Sequence, residues 1–391
     1  MKVIFFGSLY PKERYQEILN KSSYVDVAGN VLQWNFLGGL DLMSEVRVFT
    51  VPIIKNYKSI LFKDSDFSHK NYSVDYCIGF PDVIGLKQFY SSIKLKKKID
   101  KITLKGEHII IYSLQSNLLF AAVYLKKKYP NIKITVIVAD LPQYMSESRN
   151  VIYRLLKYVN TKLVFKNLKH VDSYVLLSKY MTTMLPVENK PFIVVEGIYN
   201  PDRELDMASE LKDDKIILYT GTLMKRYGVL NLVNAFLKIK SKSVSLIVCG
   251  EGDAKNEILK LSQRDSRIIY KGLMAHGEVL SLQKRATLLV NPRTPEGIYT
   301  KYSFPSKIME YFASGSPTLM YKLPGIPEEY YDFCYSIEML GEGALASKID
   351  ELLGLPPEEL KQKGLSAREF VLSQKNPEVQ CAKIIEMLKK I

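Results

Sequence analysis

The stretch Val290-Asn-Pro-Arg-Thr-Pro-Glu-Gly-Ile-Tyr-Thr-Lys-Tyr-Ser-Phe-Pro-Ser-Lys-Ile-Met-Glu-Tyr-Phe-Ala-Ser-Gly-Ser-Pro317 decides how the rest of the chain is read. An apolar strand ends at Asn291, and a polar loop bearing Arg293 and Lys301 follows. A helix then opens around Pro305-Ser306-Lys307 and runs through Glu310 to Ala313. Proline in the first turn and Gly315 beyond the last match the start and stop rules for helices. The free N–H groups at Ser306 and Lys307, the helix dipole, and the cations of Arg293 and Lys307 together suit a diphosphate. Glu310, one turn further on, is placed to accept hydrogen bonds from ribose hydroxyls while the phosphates sit at the helix tip. A solvated helix with an ordinary Lys–Glu pair is the plain alternative.

Upstream, the same strand-turn-helix logic recurs. Ile216–Thr220 is a strand running into Gly221-Thr222, with Lys225 and Arg226 in the loop and a helix beginning near Gly228. Gly221 lets a ligand approach the backbone, although a simple βα turn with solvated cations gives the same pattern. Cys249-Gly-Glu-Gly-Asp253 repeats the theme with Gly250 and Gly252, which alone is a weak signal.

Outward from these motifs, short apolar runs alternate with amphipathic stretches. Lys2–Phe6, Asp75–Gly79, His108–Tyr112, Lys133–Val138, Ser173–Leu177 and Phe192–Val195 form one series of expected strands. Ile216–Thr220, Val244–Cys249, Arg267–Lys271, Thr287–Val290 and Thr318–Tyr321 form a second, with helices such as Leu230–Lys240 and Lys255–Gln263 between them. This is an α/β pattern with two parallel sheets, helices on both faces, and a break near Gly197–Lys212. Ligands of such sheets bind beyond the carboxyl ends of the strands.

The three motifs, in this order and spacing, resemble the donor domain of retaining GT-B glycosyltransferases of family four, of the type that builds bacterial capsule, exopolysaccharide or O-antigen units. The resemblance is specific over Ile216–Pro317 and implies two Rossmann-like, doubly wound domains facing a cleft. It implies an acceptor-binding domain over 1–198, completed by a returning helix at 377–391, and a donor-binding domain over 199–376. A nucleotide-diphospho-sugar would be the donor and the enzyme a hexosyltransferase. Two departures stand out. Tyr302 takes the position of the first of the family's two acidic residues, Glu310 matching the second. Thr222 and Tyr227 stand where the family places its Arg and Lys. Phosphate charge then falls to Arg293 and Lys307, with Lys225, Arg226 and Lys301 behind them. The donor loop Tyr302-Ser303-Phe304 and Ser306 would line the site, and the backbone around Leu273, in Tyr270–Met274, would read the base.

On the acceptor side the resemblance points to Gly7 and Ser8 after the first strand, and to a helix beginning at Ala28–Asn35 with Asn30, Gln33 and Trp34. Asp140, in Val136-Ile-Val-Ala-Asp-Leu-Pro-Gln-Tyr144, would orient or deprotonate the acceptor hydroxyl; a helix-cap or turn Asp is the alternative. Glu196-Gly197 would approach the sugar. Retention of configuration implies that the departing diphosphate helps remove the acceptor proton, so positioning and charge stabilisation dominate. No cofactor or metal is expected. Asp64-Ser-Asp66 has a metal-binding spacing but lies in a charged stretch away from a strand end, and His69, His108, His170 and His276 show no ligand spacing.

Composition bounds these readings. The chain has 391 residues, 47% of them apolar and 25% charged, which excludes a largely disordered protein. Its net charge is +14. Residues 1–200 hold 28 Lys and Arg against 16 Asp and Glu, while 201–391 hold 27 against 25, so the surplus lies in the first half. Leu86–Lys105 and Ile152–His170 carry much of it, the second as a basic amphipathic helix suited to an anionic membrane surface. The alternative is a helix that buries its apolar stripe in the domain. Nucleic acid is not indicated, because no RNA-binding motif or helix-turn-helix accompanies the charge. Cys77, Cys249, Cys334 and Cys381 are isolated and fit a reduced compartment. The opening Met1–Pro11 reads as a strand rather than a signal peptide. The expected setting is cytoplasmic, peripheral at the inner face of the plasma membrane, with a polyprenyl-diphosphate-linked saccharide as acceptor. Two other readings stay open: a non-catalytic GT-B subunit that activates a partner enzyme, and a nucleotide-sugar epimerase of the same fold.

Overall fold

The computed structural model describes residues 1–57, 61–70, 73–83, 86–100, 107–141, 151–201 and 215–391, with backbone alone at 151–153. The chain divides into two compact units, Met1–Ile198 with Pro377–Ile391, and Tyr199–Asn376. Part of the sequence break near Gly197–Lys212, from 202 onward, lies outside the described residues, as do Lys101, Lys105, Pro142–Tyr144 and the side chain of Ile152.

Along the first unit the strands are β1 (Lys2–Gly7), β2 (Tyr24–Val25), β3 (Glu45–Thr50), β4 (Ile54–Lys55), β5 (Leu61–Phe62), β6 (Ser65–Phe67), β7 (Asp75–Cys77), β8 (Phe80–Pro81), β9 (His108–Tyr112), β10 (Lys133–Val138), β11 (Ser173–Leu176) and β12 (Phe192–Val194). The helices are α1 (Tyr15–Lys21), α2 (Val27–Asp41), α3 (Leu86–Ile99), α4 (Ser116–Lys128) and α5 (Val151–Asn167). Eight strands form one sheet in the order β12-β11-β10-β9-β1-β3-β7-β6. The sheet is parallel apart from β6, which pairs antiparallel with β7 and so departs from the all-parallel expectation. Strand β3 pairs with β1 along six residues and was not anticipated, because Glu45-Val-Arg-Val-Phe-Thr opens with charges and follows a helix almost directly. Right-handed crossovers put α3, α4 and α5 in one helix layer, with α3 against α4 and α4 against α5.

The second unit holds β13 (Lys215–Thr220), β14 (Val244–Cys249), β15 (Ile268–Gly272), β16 (Leu288–Asn291), β17 (Thr318–Tyr321) and β18 (Tyr335–Ile337). Its helices are α6 (Val229–Phe236), α7 (Lys255–Ser262), α8 (His276–Arg285), α9 (Lys307–Ser314), α10 (Glu342–Leu353) and α11 (Pro357–Gln374). All of its strand pairs are parallel, in the order β15-β14-β13-β16-β17-β18. Counted within the unit this is the doubly wound order 3-2-1-4-5-6, whose direction reverses between β13 and β16. The last helix, α12 (Pro377–Lys389), packs on α2 in the first unit. A Cβ on Gly39 would lie 2.1 Å from the Pro377 carbonyl, and Cys381 Sγ donates to Phe36 O at 3.4 Å.

Candidate functional site

In the second unit the reversal point brings two loops together, the one after β13 and the one after β16. Gly221 ends β13 at φ 153°, and Lys307 Cγ lies 3.9 Å from where its Cβ would be. The first and third sequence motifs, more than eighty residues apart, therefore meet at this point. Gly228 (φ 78°) presses on the Pro292 carbonyl, where a Cβ would come to 2.1 Å, and Tyr299 Oη donates to Arg226 O at 2.8 Å. Gly250 presses on the Gly221 carbonyl and Gly252 on the backbone of Leu223. Those two glycines are thus required by backbone packing, whatever else approaches them.

Arg293 is held between two tyrosine rings, 4.9 Å from the centroid of Tyr227 and 4.6 Å from that of Tyr299. Its Nη2 donates to Ser303 Oγ at 3.1 Å, while its buried Nε has no hydrogen-bond partner. An orphaned guanidinium N–H of this kind is unusual in a packed protein and suits an anionic acceptor. Arg226 lies over the same two rings, at 5.3 and 5.6 Å. Tyr227 therefore serves to stack arginine.

Lys307 and Glu310 pair at 2.7 Å on the first turn of α9, both partly exposed. Lys225 pairs with Glu257 on the surface, which takes it away from any neighbouring anion. Thr222 gives its carbonyl to Tyr219 Oη at 2.9 Å. Phe304 is buried in the core against Tyr330, so its side chain is not available to line a site, contrary to the sequence expectation. Ser303 Oγ donates to Tyr299 O, and Ser306 is the residue that precedes α9. Leu273, just after β15, is 77% exposed.

Two residues beneath this loop gave no sequence signal. Tyr311 Oη accepts from Thr220 N at 2.8 Å and donates to Thr220 O at 3.1 Å. Gln283, fully buried on α8, donates to Thr220 Oγ1 at 2.9 Å. Together they fix the end of β13, and hence Gly221, from below.

In the first unit the reversal lies between β1 and β9. Here the loop Gly7–Tyr10 is held by side chains of α2. Gln33 Oε1 accepts from Ser8 N at 2.7 Å, Asn30 Oδ1 from Tyr10 N at 2.8 Å, and Trp34 Nε1 donates to Tyr10 O at 3.3 Å. Asn30 and Ser8 are buried, so both are loop supports more than an open surface. Asp26 caps α2 by accepting from Gly29 N. After β9, Ser113 adopts φ 66°, a left-handed backbone that is uncommon outside glycine.

Asp140 follows β10 and is exposed at its surface. Crowding around its carboxyl and the negative charge of Asp26 push it up from 3.8 to about 6. Water on its exposed side screens part of that effect, and the upward direction is what the placement fixes. The same two carboxylates act on the buried Tyr112, whose hydroxyl burial raises first. Asp26, Tyr112 and Asp140 therefore share one acidic corner at the strand ends. Glu196, after β12, is buried.

Asp64 accepts from Gly79 N and pairs with Lys94, and Asp66 pairs with Lys98, so both carboxylates have structural partners. Among the described residues no three His, Cys, Asp or Glu side chains are grouped to hold a metal. No described helix is long and apolar enough to cross a membrane. All four cysteines are free and buried.

Residues 214–354 match the family model described as glycosyl transferases group 1. No curated protein matches the chain by sequence. Solved structures match it throughout. Sucrose-phosphate synthase from Thermosynechococcus elongatus is 17% identical, with 100% of this chain and 99% of that one covered and a TM-score of 0.66. Anabaena Alr3699/HepE in complex with UDP is 13% identical, with complete coverage of both chains and a TM-score of 0.64. An E. coli structure described as trehalose-6-phosphate, bound with UDP-2-fluoro glucose, is 10% identical, covers 100% and 99%, and has a TM-score of 0.70. The fold is GT-B, and the likeness to glycosyl transferases group 1 is confined to residues 214–354.

Proposed function

We propose that this chain, a GT-B protein with a group 1 glycosyltransferase domain, moves a hexosyl group from a nucleotide-diphospho-sugar to a saccharide acceptor with retention of configuration. The observation that carries this reading is the meeting of Gly221, Arg293 and Lys307 at the reversal point of the second sheet, beside the N-terminus of α9. Lys307 and the unpaired Nε of Arg293 supply positive charge to the departing diphosphate. Glu310, Ser306 and the loop Tyr302–Phe304 bind the donor through side chain or backbone, and the backbone near Leu273 meets the base. UDP and UDP-2-fluoro glucose bound to structures of the same fold support a uridine donor as the first to test.

In the reaction, the bond between the anomeric carbon and the diphosphate oxygen breaks. The acceptor oxygen bonds that carbon on the same face, and its proton passes to the leaving phosphate. Asp140, as its carboxylate, orients the acceptor for that attack. This chemistry uses fixed cations and needs no resident metal. The acceptor in this reading is a polyprenyl-diphosphate-linked saccharide of bacterial surface-polysaccharide synthesis, met at the inner face of the plasma membrane. The surplus charge of the first unit supports that setting. The sucrose-phosphate synthase likeness favours a second reading, a small soluble sugar-phosphate acceptor.

A thermal-shift screen with UDP, GDP, dTDP and CMP donors identifies the nucleotide, since a bound ligand stabilises the fold. Turnover of the chosen donor falls about a hundredfold in Lys307→Ala and in Arg293→Ala. Unchanged turnover in both variants removes the donor-site assignment. Turnover rises with pH through about 6 as Asp140 ionises, and Asp140→Asn loses that limb. Transfer that survives EDTA supports the metal-free mechanism.

A further inference from the structure

The helix layer of the first unit has an outer face unlike the rest of the molecule. On α3, Leu86, Phe89, Tyr90 and Ile93 recur at helical spacing and are exposed, Phe89 to 69%. The opposite face of α3 buries Ser91, Leu95 and Ile99, so the helix is apolar on both sides. On α5, Leu155, Leu156, Val159 and Leu163 are exposed, Leu155 to 62%, while Val164 faces inward. The sequence alternative, an apolar stripe of α5 buried in its own domain, does not hold for these residues.

The charge on this layer is one-sided. Helix α3 carries five lysines, α4 three, and α5 one arginine and three lysines, and none of the three carries an Asp or Glu. Asp64, Asp66, Asp100 and Asp172 from other elements neutralise some cations of α3 and α4. On α5, Lys162 lies over the Tyr158 ring at 4.5 Å. On α5 the exposed apolar residues are interleaved with Arg154, Lys157, Lys162 and Lys166, whereas most cations of α3 and α4 lie in their last turns; the mixture on α5 fits an interface that is both apolar and anionic. Nucleic acid would supply the anion without the hydrocarbon.

Direction follows from topology. Helices between parallel strands run opposite to them, so the N-terminal turns of α3 and α5 lie at the carboxyl ends of the strands. Leu86, Phe89, Tyr90, Leu155 and Leu156 sit on those N-terminal halves. The same edge of the sheet carries Gly7, Ser113 and Asp140.

We propose that the exposed stripes of α3 and α5, with the cations of α5, dock on an anionic phospholipid surface and bring the Gly7–Asp140 edge to it. This rests on the reading of a lipid-linked acceptor and deepens it by naming the surface. The full chain should sediment with vesicles of equimolar phosphatidylglycerol and phosphatidylcholine. It should bind pure phosphatidylcholine weakly and leave the mixed vesicles at high salt. Phe89→Ser combined with Leu155→Ser should weaken binding about tenfold or more, and Lys162→Glu combined with Lys166→Glu comparably at low salt. Both variants should keep the wild-type Tm, since the positions are exposed. No sedimentation of wild type, binding that ignores both variants, or a dimer that these substitutions dissociate would overturn the proposal. The two readings separate cleanly: transfer to a detergent-dispersed lipid-linked acceptor tests the reaction, and vesicle binding tests the surface. Either can fail while the other stands.

Discussion

The two sheets carry their candidate loops at the same topological position and hold them by opposite means. In the first unit the loop after β1 hangs on side chains, Gln33, Asn30 and Trp34, each making its own bond to Ser8 or Tyr10. In the second unit the loop after β13 is wedged by backbone against backbone at Gly228, Gly250 and Gly252. The first arrangement fails one hydrogen bond at a time. The second has no room for a single added carbon. Charge divides along the same line. In the second unit the cations near the loops pair with close neighbours, as in Lys225–Glu257, Lys255–Glu251 and Lys307–Glu310. In the first, helices α3, α4 and α5 carry no Asp or Glu of their own, and the ion pairs of α3 and α4 reach to carboxylates outside those helices.

The sharpest way to break this contrast is Gly250→Ala. Its φ of 134° and a Cβ placed 1.8 Å from the Gly221 carbonyl should cost about 3 kcal/mol or more in urea unfolding. A wild-type midpoint would mean that the second loop is not wedged. His69→Gln comes next, at about 2 kcal/mol. The His69 ring lies between Asp75 at 2.6 Å and Asp41 at 3.1 Å, tying the segment before β7 to the end of α2. Burial opposes its charge, but the bonds to Asp41 and Asp75 prevail and raise it from 6.5 to about 9. The folded value lies above the unfolded one. The contribution is therefore complete below pH 6.5 and is lost as pH rises through about 9, a decline in Tm that His69→Gln should abolish.

Gln33→Ala strands Ser8 N in a buried place and should cost about 1.5 kcal/mol. A cost equal to that of Gly250→Ala would erase the difference between the loops. Tyr311→Phe should cost about 1 kcal/mol and loosen Gly221, which a raised KM for the donor would report. Lys225→Ala, an exposed pair, should change stability by less than about 0.5 kcal/mol.

Much of the fold was legible because buried parallel strands are continuous apolar runs. His108–Tyr112, Lys133–Val138, Val244–Cys249 and Thr318–Tyr321 have the boundaries expected of them. Strand β3 was hidden because its alternation begins with Glu45 and Arg47, whose charges look like a loop. The placement of Lys307 and Glu310 on the first turn of α9 was readable from helix-start rules. The tyrosine pair around Arg293 was not, because Tyr227 and Tyr299 are 72 positions apart in sequence and neither belongs to a local pattern. The inward turn of the Phe304 side chain was hidden for the converse reason: adjacency to a polar motif says nothing about which way a side chain turns.

The sequence by itself determined the main alternation of strands and helices, the strand-to-helix turns at Gly221, Gly250 and Asn291, and the uneven charge of the two halves. These depend on neighbours within a few residues and on counting. Only the tertiary structure decided which glycines are needed for packing, which residue lies beneath Thr220, and which side of α5 faces out. Those outcomes depend on what the rest of the chain brings alongside, and a helix with apolar residues on two faces cannot declare from its sequence which face the domain will cover.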